Sequence, residues 1–126
     1  HHTVEDVGIA MGECINKALG AKKGITRFAH SYVTFDECLT RTAMDLCNRP
    51  YFIWNVKNTL EKVGEMDQEL FPEFFKSIVT EARMNCHIEN LYGDNNHHII
   101  ESCFKSTSVW CRSSKPFPVL LKWFPI

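Results

Sequence analysis

Val4, Val7, Met11, Cys14, Ile15 and Ala18 recur three and four residues apart, with mostly polar residues between them. That spacing puts them on one stripe and predicts an amphipathic helix over residues 2–19, with Gly20 as its stop. A loop, AKKG, follows, and ITRFAHSYV (25–33) reads as a strand. Thr34 to Glu37 reads as a turn. Cys47-Asn48-Arg49-Pro50 is a turn signal, and YFIWNV after it is rich in β-branched and aromatic residues. Together they predict a β-hairpin with arms over 40–47 and 51–57; the first arm has an alternative reading as a short helix from Asp36. Residues 58–66 read as a polar loop. Leu70, Phe71, Phe74, Phe75, Ile78 and Val79 make the stripe of a second helix over 67–83, with Asp67 as its cap. Pro72 is tolerated there because it falls near the start. NCHIENLY (85–92) reads as a strand. Gly93-Asp94-Asn95-Asn96 is a turn ending in an N-cap residue, and a third helix opens with His97 and His98.

The order is a helix followed by βββαβα. HHTVE (1–5) opens the first helix and HHIIE (97–101) the last, 96 residues later. An internal duplication accounts for this most simply, at a period too long for a solenoid. The expected fold is α/β, of the two-layer α+β kind: a four-stranded sheet with helices on one face. Residues 1–20 are then the last helix of a first half-domain, 21–105 a second half-domain, and 106–126 a separate tail.

Composition narrows the class. The chain has 126 residues, 44% hydrophobic and 23% charged, enough apolar mass for a core. A net charge of -1 gives no electrostatic case for nucleic acid or an anionic membrane surface. No apolar run approaches the roughly 20 residues of a membrane span. The six cysteines include no C-x-x-C pair, which argues against a zinc ribbon or a thioredoxin-type site. Most lie within apolar patterns as small hydrophobes, so a reduced, intracellular protein is expected. The chain starts at His1 rather than Met, so targeting is not read from it.

The repeated His-His-x-x-Glu carries the chemistry. A helix advances about 100° per residue, so with His1 at 0° His2 points near about 100° and Glu5 near about 40°. The carboxylate lies between two rings that diverge too far to share one small ion. Each His could serve a different ion, and two such helices about an approximate twofold axis would hold two metals between them. Imidazole with carboxylate suits Mn²⁺, Fe²⁺, Co²⁺, Ni²⁺ or Zn²⁺. His87, on the strand before the second motif, is a candidate third histidine. Either motif alone would read as surface polarity; two copies at helix starts favour metal. His30, on a strand, reads as a hydrogen-bonded structural residue. The H-E-x-x-H protease pattern, a Gly-rich phosphate loop and a serine nucleophile elbow are all absent.

These motifs resemble the imidazoleglycerol-phosphate dehydratase family of histidine biosynthesis. HHTVEDVGIAMG with ALGAKKGITRFAH is similar to that family's first histidine-rich motif. DLCNRPYF resembles its Ser-Gly-Arg-Pro-Tyr hairpin, with Cys47-Asn48 in place of Ser-Gly, and NCHIENLYGDNNHHIIESCFK resembles its second motif. The resemblance runs from His1 to about Lys105. It implies a duplicated half-domain, two Mn²⁺ per active site and a twenty-four-subunit shell with sites at subunit contacts. It implies dehydration of a phosphorylated imidazole substrate, imidazole glycerol phosphate, to imidazole acetol phosphate, in the cytoplasm or, in a plant, the plastid. By motif, His1, His2, Glu5, His87, His97, His98 and Glu101 would be metal ligands. Arg27 and Arg49 would contact the substrate phosphate, where a planar charged fork is apt, and Lys105 would add positive charge. Glu5 and Glu101 are also the visible carboxylates for acid–base work, with the main acid/base residue expected before His1.

After Lys105 the likeness ends. The family continues in a long helix and a Ser-Thr-Lys-Gly phosphate-binding tail; here STSVWCRSSKPFPVLLKWFPI follows. Ser113-Ser114-Lys115 echoes that tail, but Pro116 follows it and the role is not carried over. The apolar end, with Trp110, Pro116, Pro118 and Trp123, reads as a packed extended tail or as a misread coding end. Three functions follow as alternatives: part of a working Mn²⁺-dependent lyase, a catalytically incomplete metal-binding fragment of that enzyme, or an unrelated dinuclear metallohydrolase.

Overall fold

The computed structural model describes residues 1–57 and 62–113. In chain order the elements are α1 (His2–Leu19), β1 (Phe28–Phe35), β2 (Cys38–Asp45), β3 (Tyr51–Asn55), β4 (Lys62–Val63), β5 (Met66–Asp67), α2 (Leu70–Ala82), β6 (Asn85–Tyr92) and α3 (Asn96–Ser113). The four long strands form one sheet in the order β1-β2-β6-β3, and β4 with β5 forms a small separate ribbon.

The expected α/β architecture is present, with helices on one sheet face. Along β2, Cys38, Thr40, Thr42 and Met44 are buried while Arg41 and Ala43 are exposed. On β6, Cys86 and Ile88 are buried and His87 is exposed. The inner residues meet Phe75, Ile78, Val79 and Ala82 of α2 and Cys103 of α3 in one core. Burial pushes the Cys38 thiol up to about 11 and the Cys103 thiol up to about 12, so both stay protonated, packed as small hydrophobes. The outer face exposes Phe28, Tyr32, Tyr51 and Ile53. Across it Arg41 pairs with Glu89 and meets the Tyr32 hydroxyl, while Asn55 donates to the other Glu89 oxygen.

The strand pairing corrects one expectation. β2 and β3 do not pair as a hairpin, and the helical alternative for the first arm is not adopted. β6 lies between them, antiparallel to β2 and parallel to β3. A local turn signal fixes only that the chain reverses. The connection from Leu46 to Pro50 is long enough to cross two strand spacings of about 4.8 Å each, leaving a slot. β3, α2 and β6 then form a βαβ crossover, which fills that slot from the far side. Asn48 has φ 61, a left-handed conformation that Asn tolerates. Its side chain accepts from Lys22 Nζ at 2.6 Å.

Other boundaries shift by a few residues. α2 starts at Leu70 with Glu69 as its N-cap residue, because Asp67 belongs to the β4–β5 ribbon and faces Lys62 at 3.6 Å. The expected loop over 58–66 is a ribbon from Lys62, and 58–61 lie outside the described residues. α3 runs on through Ser113, beyond the Lys105 boundary drawn from the sequence. Of the tail expected over 106–126, residues 106–113 continue α3 and residues 114–126 lie outside the described residues.

Buried hydroxyls tie α3 to β2. Thr40 Oγ1 is 2.6 Å from Ser102 Oγ, and Thr42 Oγ1 is 2.7 Å from Ser106 Oγ. All four residues have 0% exposure, so neither hydroxyl in a pair has water as a substitute partner. Thr42→Val alone is expected to cost about 1 kcal/mol, since Ser106 Oγ loses its Thr42 partner but keeps its own bond to the Cys103 carbonyl. Adding Ser106→Ala should recover part of that loss. Chemical denaturation of the two single variants and the double variant checks the coupling.

Candidate metal centre

The N-terminus of α3 is held by side chains from both flanks. Asn95 is the cap: its Oδ1 accepts from the backbone N–H of His97 at 2.9 Å and of His98 at 3.2 Å. The turn between β1 and β2 approaches from the other side. There Glu37 Oε1 accepts from Asn95 N–H at 2.8 Å, and Oε2 lies 2.8 Å from His98 Nδ1. The His98 contact, then the backbone donors, hold the Glu37 carboxyl down at about 2. His98 Nε2 is 3.9 Å from Asp36 Oδ2. His97 takes its carboxylate from its own helix: Nε2 lies 3.1 Å from Glu101 Oε2. Lys105 Nζ meets Glu101 Oε1 at 2.9 Å and sits 3.8 Å above the Phe35 ring centre. Lys105 thereby lowers the Glu101 carboxyl below its ordinary range.

The other motif sits at the same end of the sheet. α1 packs along α2 in parallel, with Gly8 against Phe74 and Ser77 and Gly12 against Ile78 and Glu81. His1 therefore reaches the start of α2, lining a hollow with Asp67, Glu69, Leu70, Pro72 and Glu73. β6 ends where α3 begins, and β3, parallel to β6, leads to the ribbon before α2. His97 lines a second hollow with Lys62, Val63 and Gly64 of that ribbon. Both HHxxE motifs thus open helices at one end, with the β4–β5 ribbon beside each. His1 and His2 rings meet edge to face at 5.7 Å, and Glu5 is exposed on the same helix.

The two arginines lie at the opposite end. Arg27 precedes β1 and Arg49 lies in the turn before β3, whereas Glu37 and His98 sit past the far end of β1. Eight strand residues separate the two groups, roughly 25 Å. Arg27 forms a two-pronged ion pair with Asp45, at 2.5 and 3.0 Å. His87 is not brought to the histidine end either: it sits in the middle of the outer sheet face, opposite Ala43 and Ile53. Alternation along β6 sends it away from α3, although only ten residues separate it from His97 in the chain. His30 shares that outer row, beside Tyr32 at 6.3 Å between rings.

The Arg27 contact lowers the Asp45 carboxyl, followed by smaller effects including the charge of Arg49. A carboxyl depressed in the folded state adds stability above its unfolded pKa, and that contribution is lost as pH falls through the folded value. Thermal stability should therefore fall as pH drops below the ordinary aspartate range near 3.8. Asp45→Asn should flatten that part of a melting-temperature profile.

The donors at both helix starts are imidazole nitrogen and carboxylate oxygen, a set that fits a borderline divalent cation. Among the described residues, however, no three such side chains stand close enough to hold a metal ion. One chain presents parts of a site. Glu37 was missed by sequence reasoning because nothing in the chain ties it to His98, 61 residues away.

A family model described as imidazoleglycerol-phosphate dehydratase matches residues 1–109. The chain belongs to this family. An imidazoleglycerol-phosphate dehydratase of Magnetococcus marinus is 51% identical over 114 residues, covering 90% of this chain and 58% of the relative. That of Sinorhizobium fredii is 49% identical over 108 residues, covering 86% and 54%. The crystal structure of the Staphylococcus aureus N315 dehydratase superposes with TM-score 0.83 at 40% identity, over 87% of this chain and 64% of that one. The Pyrococcus furiosus protein, in complex with (S)-C348, gives TM-score 0.76 at 33% identity, over 89% and 62%. The chain thus spans little more than half the length of the two dehydratases it matches in sequence.

Proposed function

We propose that this chain is part of a Mn²⁺-dependent hydro-lyase that dehydrates imidazole glycerol phosphate to imidazole acetol phosphate. One observation carries the reading: both HHxxE motifs gather at one end of the sheet and both arginines at the other. A site using all of them needs more than one copy. A homo-oligomer, by family resemblance a twenty-four-subunit shell, would bring the arginine end of one copy to the histidine end of another. The exposed Phe28, Tyr32, Tyr51 and Ile53 on the outer face support such an assembly.

In that reading His1, His2, His97 and His98 hold the metals, with Glu5 and Glu101 as carboxylate ligands. His87, on the outer sheet face of its own copy, would join this set only from a neighbouring copy. The bound ions would polarise the imidazole ring, so that it accepts charge when the neighbouring carbon loses its proton. Arg49 of another copy grips the phosphate, Arg27 does so when released from Asp45, and Lys105 adds charge beside Glu101. Glu5 and Glu101 are the carboxylates near the chemistry, and an acid/base residue outside this chain completes it.

The incomplete metal-binding fragment stays as the second reading, favoured by the partial coverage of the relatives. The unrelated dinuclear hydrolase loses its support with the family match. In the whole protein of which this chain is part, turnover of imidazole glycerol phosphate that EDTA abolishes and Mn²⁺ restores is the expected result. Mn²⁺ binding without turnover would select the fragment reading.

A further inference from the structure

We propose that Glu37 is a positioning residue that fixes the His98 tautomer and leaves Nε2 free to take a divalent cation. The inference rests on the reading of His98 as a ligand. Glu37 is anchored independently of the imidazole. Its Oε1 accepts the backbone N–H of Asp94 at 3.3 Å and of Asn95 at 2.8 Å, in the loop that opens α3. That leaves Oε2 pointing at His98 Nδ1, 2.8 Å away. A carboxylate offers no proton, so Nδ1 is the donor, and in the neutral ring the lone pair then lies on Nε2. Phe35 packs edge to face against the ring at 4.7 Å and fixes its plane. His97 has no such arrangement. Its carboxylate partner, Glu101, meets Nε2 within the same helix. The two adjacent histidines are thus presented differently, one oriented from a separate turn and one from its own helix. A carboxylate behind a ligating imidazole sets its tautomer and raises its basicity.

Glu37→Gln is the informative change. Its carbonyl can still accept the Asp94 and Asn95 N–H groups, so the turn should hold. Its amide N–H₂ would face Nδ1, turn it into an acceptor and move the ring proton to Nε2. The experiment uses ¹⁵N NMR of the metal-free chain above the histidine pKa, then Mn²⁺ titration. The wild type should show His98 protonated on Nδ1 and Glu37→Gln on Nε2, with melting unchanged and Mn²⁺ affinity down about ten- to a hundredfold. Asp36→Asn, which removes the nearby carboxylate without touching Nδ1, should leave the tautomer unchanged. A wild-type His98 protonated on Nε2 would overturn the proposal without any variant. Mn²⁺ affinity that falls with His98→Ala but not with Glu37→Gln would overturn the role of Glu37 alone. Affinity that falls with neither would overturn the ligand reading itself, and the proposal with it.

Discussion

In the whole lyase proposed to contain this chain, Arg49→Ala and His97→Ala, each inactive when expressed alone, should regain dehydratase activity when co-expressed. Arg49 lies in the turn before β3 and His97 at the start of α3, at opposite ends of the sheet. If one substrate meets both, they come from different copies. A mixed assembly then contains some sites that pair an intact arginine end with an intact histidine end. Each single change should lower kcat/KM about a hundredfold or more, because in the proposed reading it strips a charged phosphate contact or a metal ligand. Assaying the co-expressed pair against each homogeneous variant measures the recovery. A site completed within one copy would show none, since every chain in the mixture carries a lesion.

Gly12→Val should unfold the packing of α1 on α2. A Cβ at Gly12 would sit 2.6 Å from the Ile78 carbonyl oxygen and 2.6 Å from Glu81 Cβ. Backbone on the far side cannot rotate away, so the helices must separate. Gly8, one turn earlier, meets the Phe74 carbonyl oxygen at 2.8 Å, so the whole seam is built for glycine. Better helix propensity would return at most about 1 kcal/mol, against about 3 kcal/mol for overpacking at this contact. The expected loss is about 2–3 kcal/mol in chemical denaturation. The stronger consequence is positional: the hollow between His1 and the start of α2 should open, weakening metal binding at that motif more than at His97 and His98.

What the chain revealed in advance was what local chemistry decides. α1 and β6 were legible at their termini, but on α1 the face that packs is Gly8, Gly12 and Leu19, whereas Val7, Met11, Cys14 and Ala18 of the apolar stripe are exposed. The repeated HHxxE was legible as a pair because its spacing is self-contained. The relation of β2 to β3 was not. Asn48, Arg49 and Pro50 mark a reversal in either topology, and only the return of β6 through the α2 crossover settles which strand becomes the neighbour. His87 shows the same limit. Its nearness to His97 in the chain is overruled by strand alternation, which puts it on the other face. Glu37 lay deepest, a turn residue whose meaning comes from a loop and a helix far along the sequence. The glycine pair at 8 and 12 was readable in principle, as two small residues one turn apart on a helix, but only α2 gives it a purpose.

The most direct test of the account is manganese content measured together with particle mass. The chain would be purified with Mn²⁺, sized by light scattering and analysed for metal, then stripped with EDTA and sized again. Mn²⁺ should be retained in a large multi-subunit particle that shrinks when the metal is removed, because among the described residues no three ligands of one copy stand together and a second copy would have to complete each metal. A chain that stays monomeric and binds no Mn²⁺ would contradict it, and the paired histidine motifs would then be a family signature on a site this chain does not form.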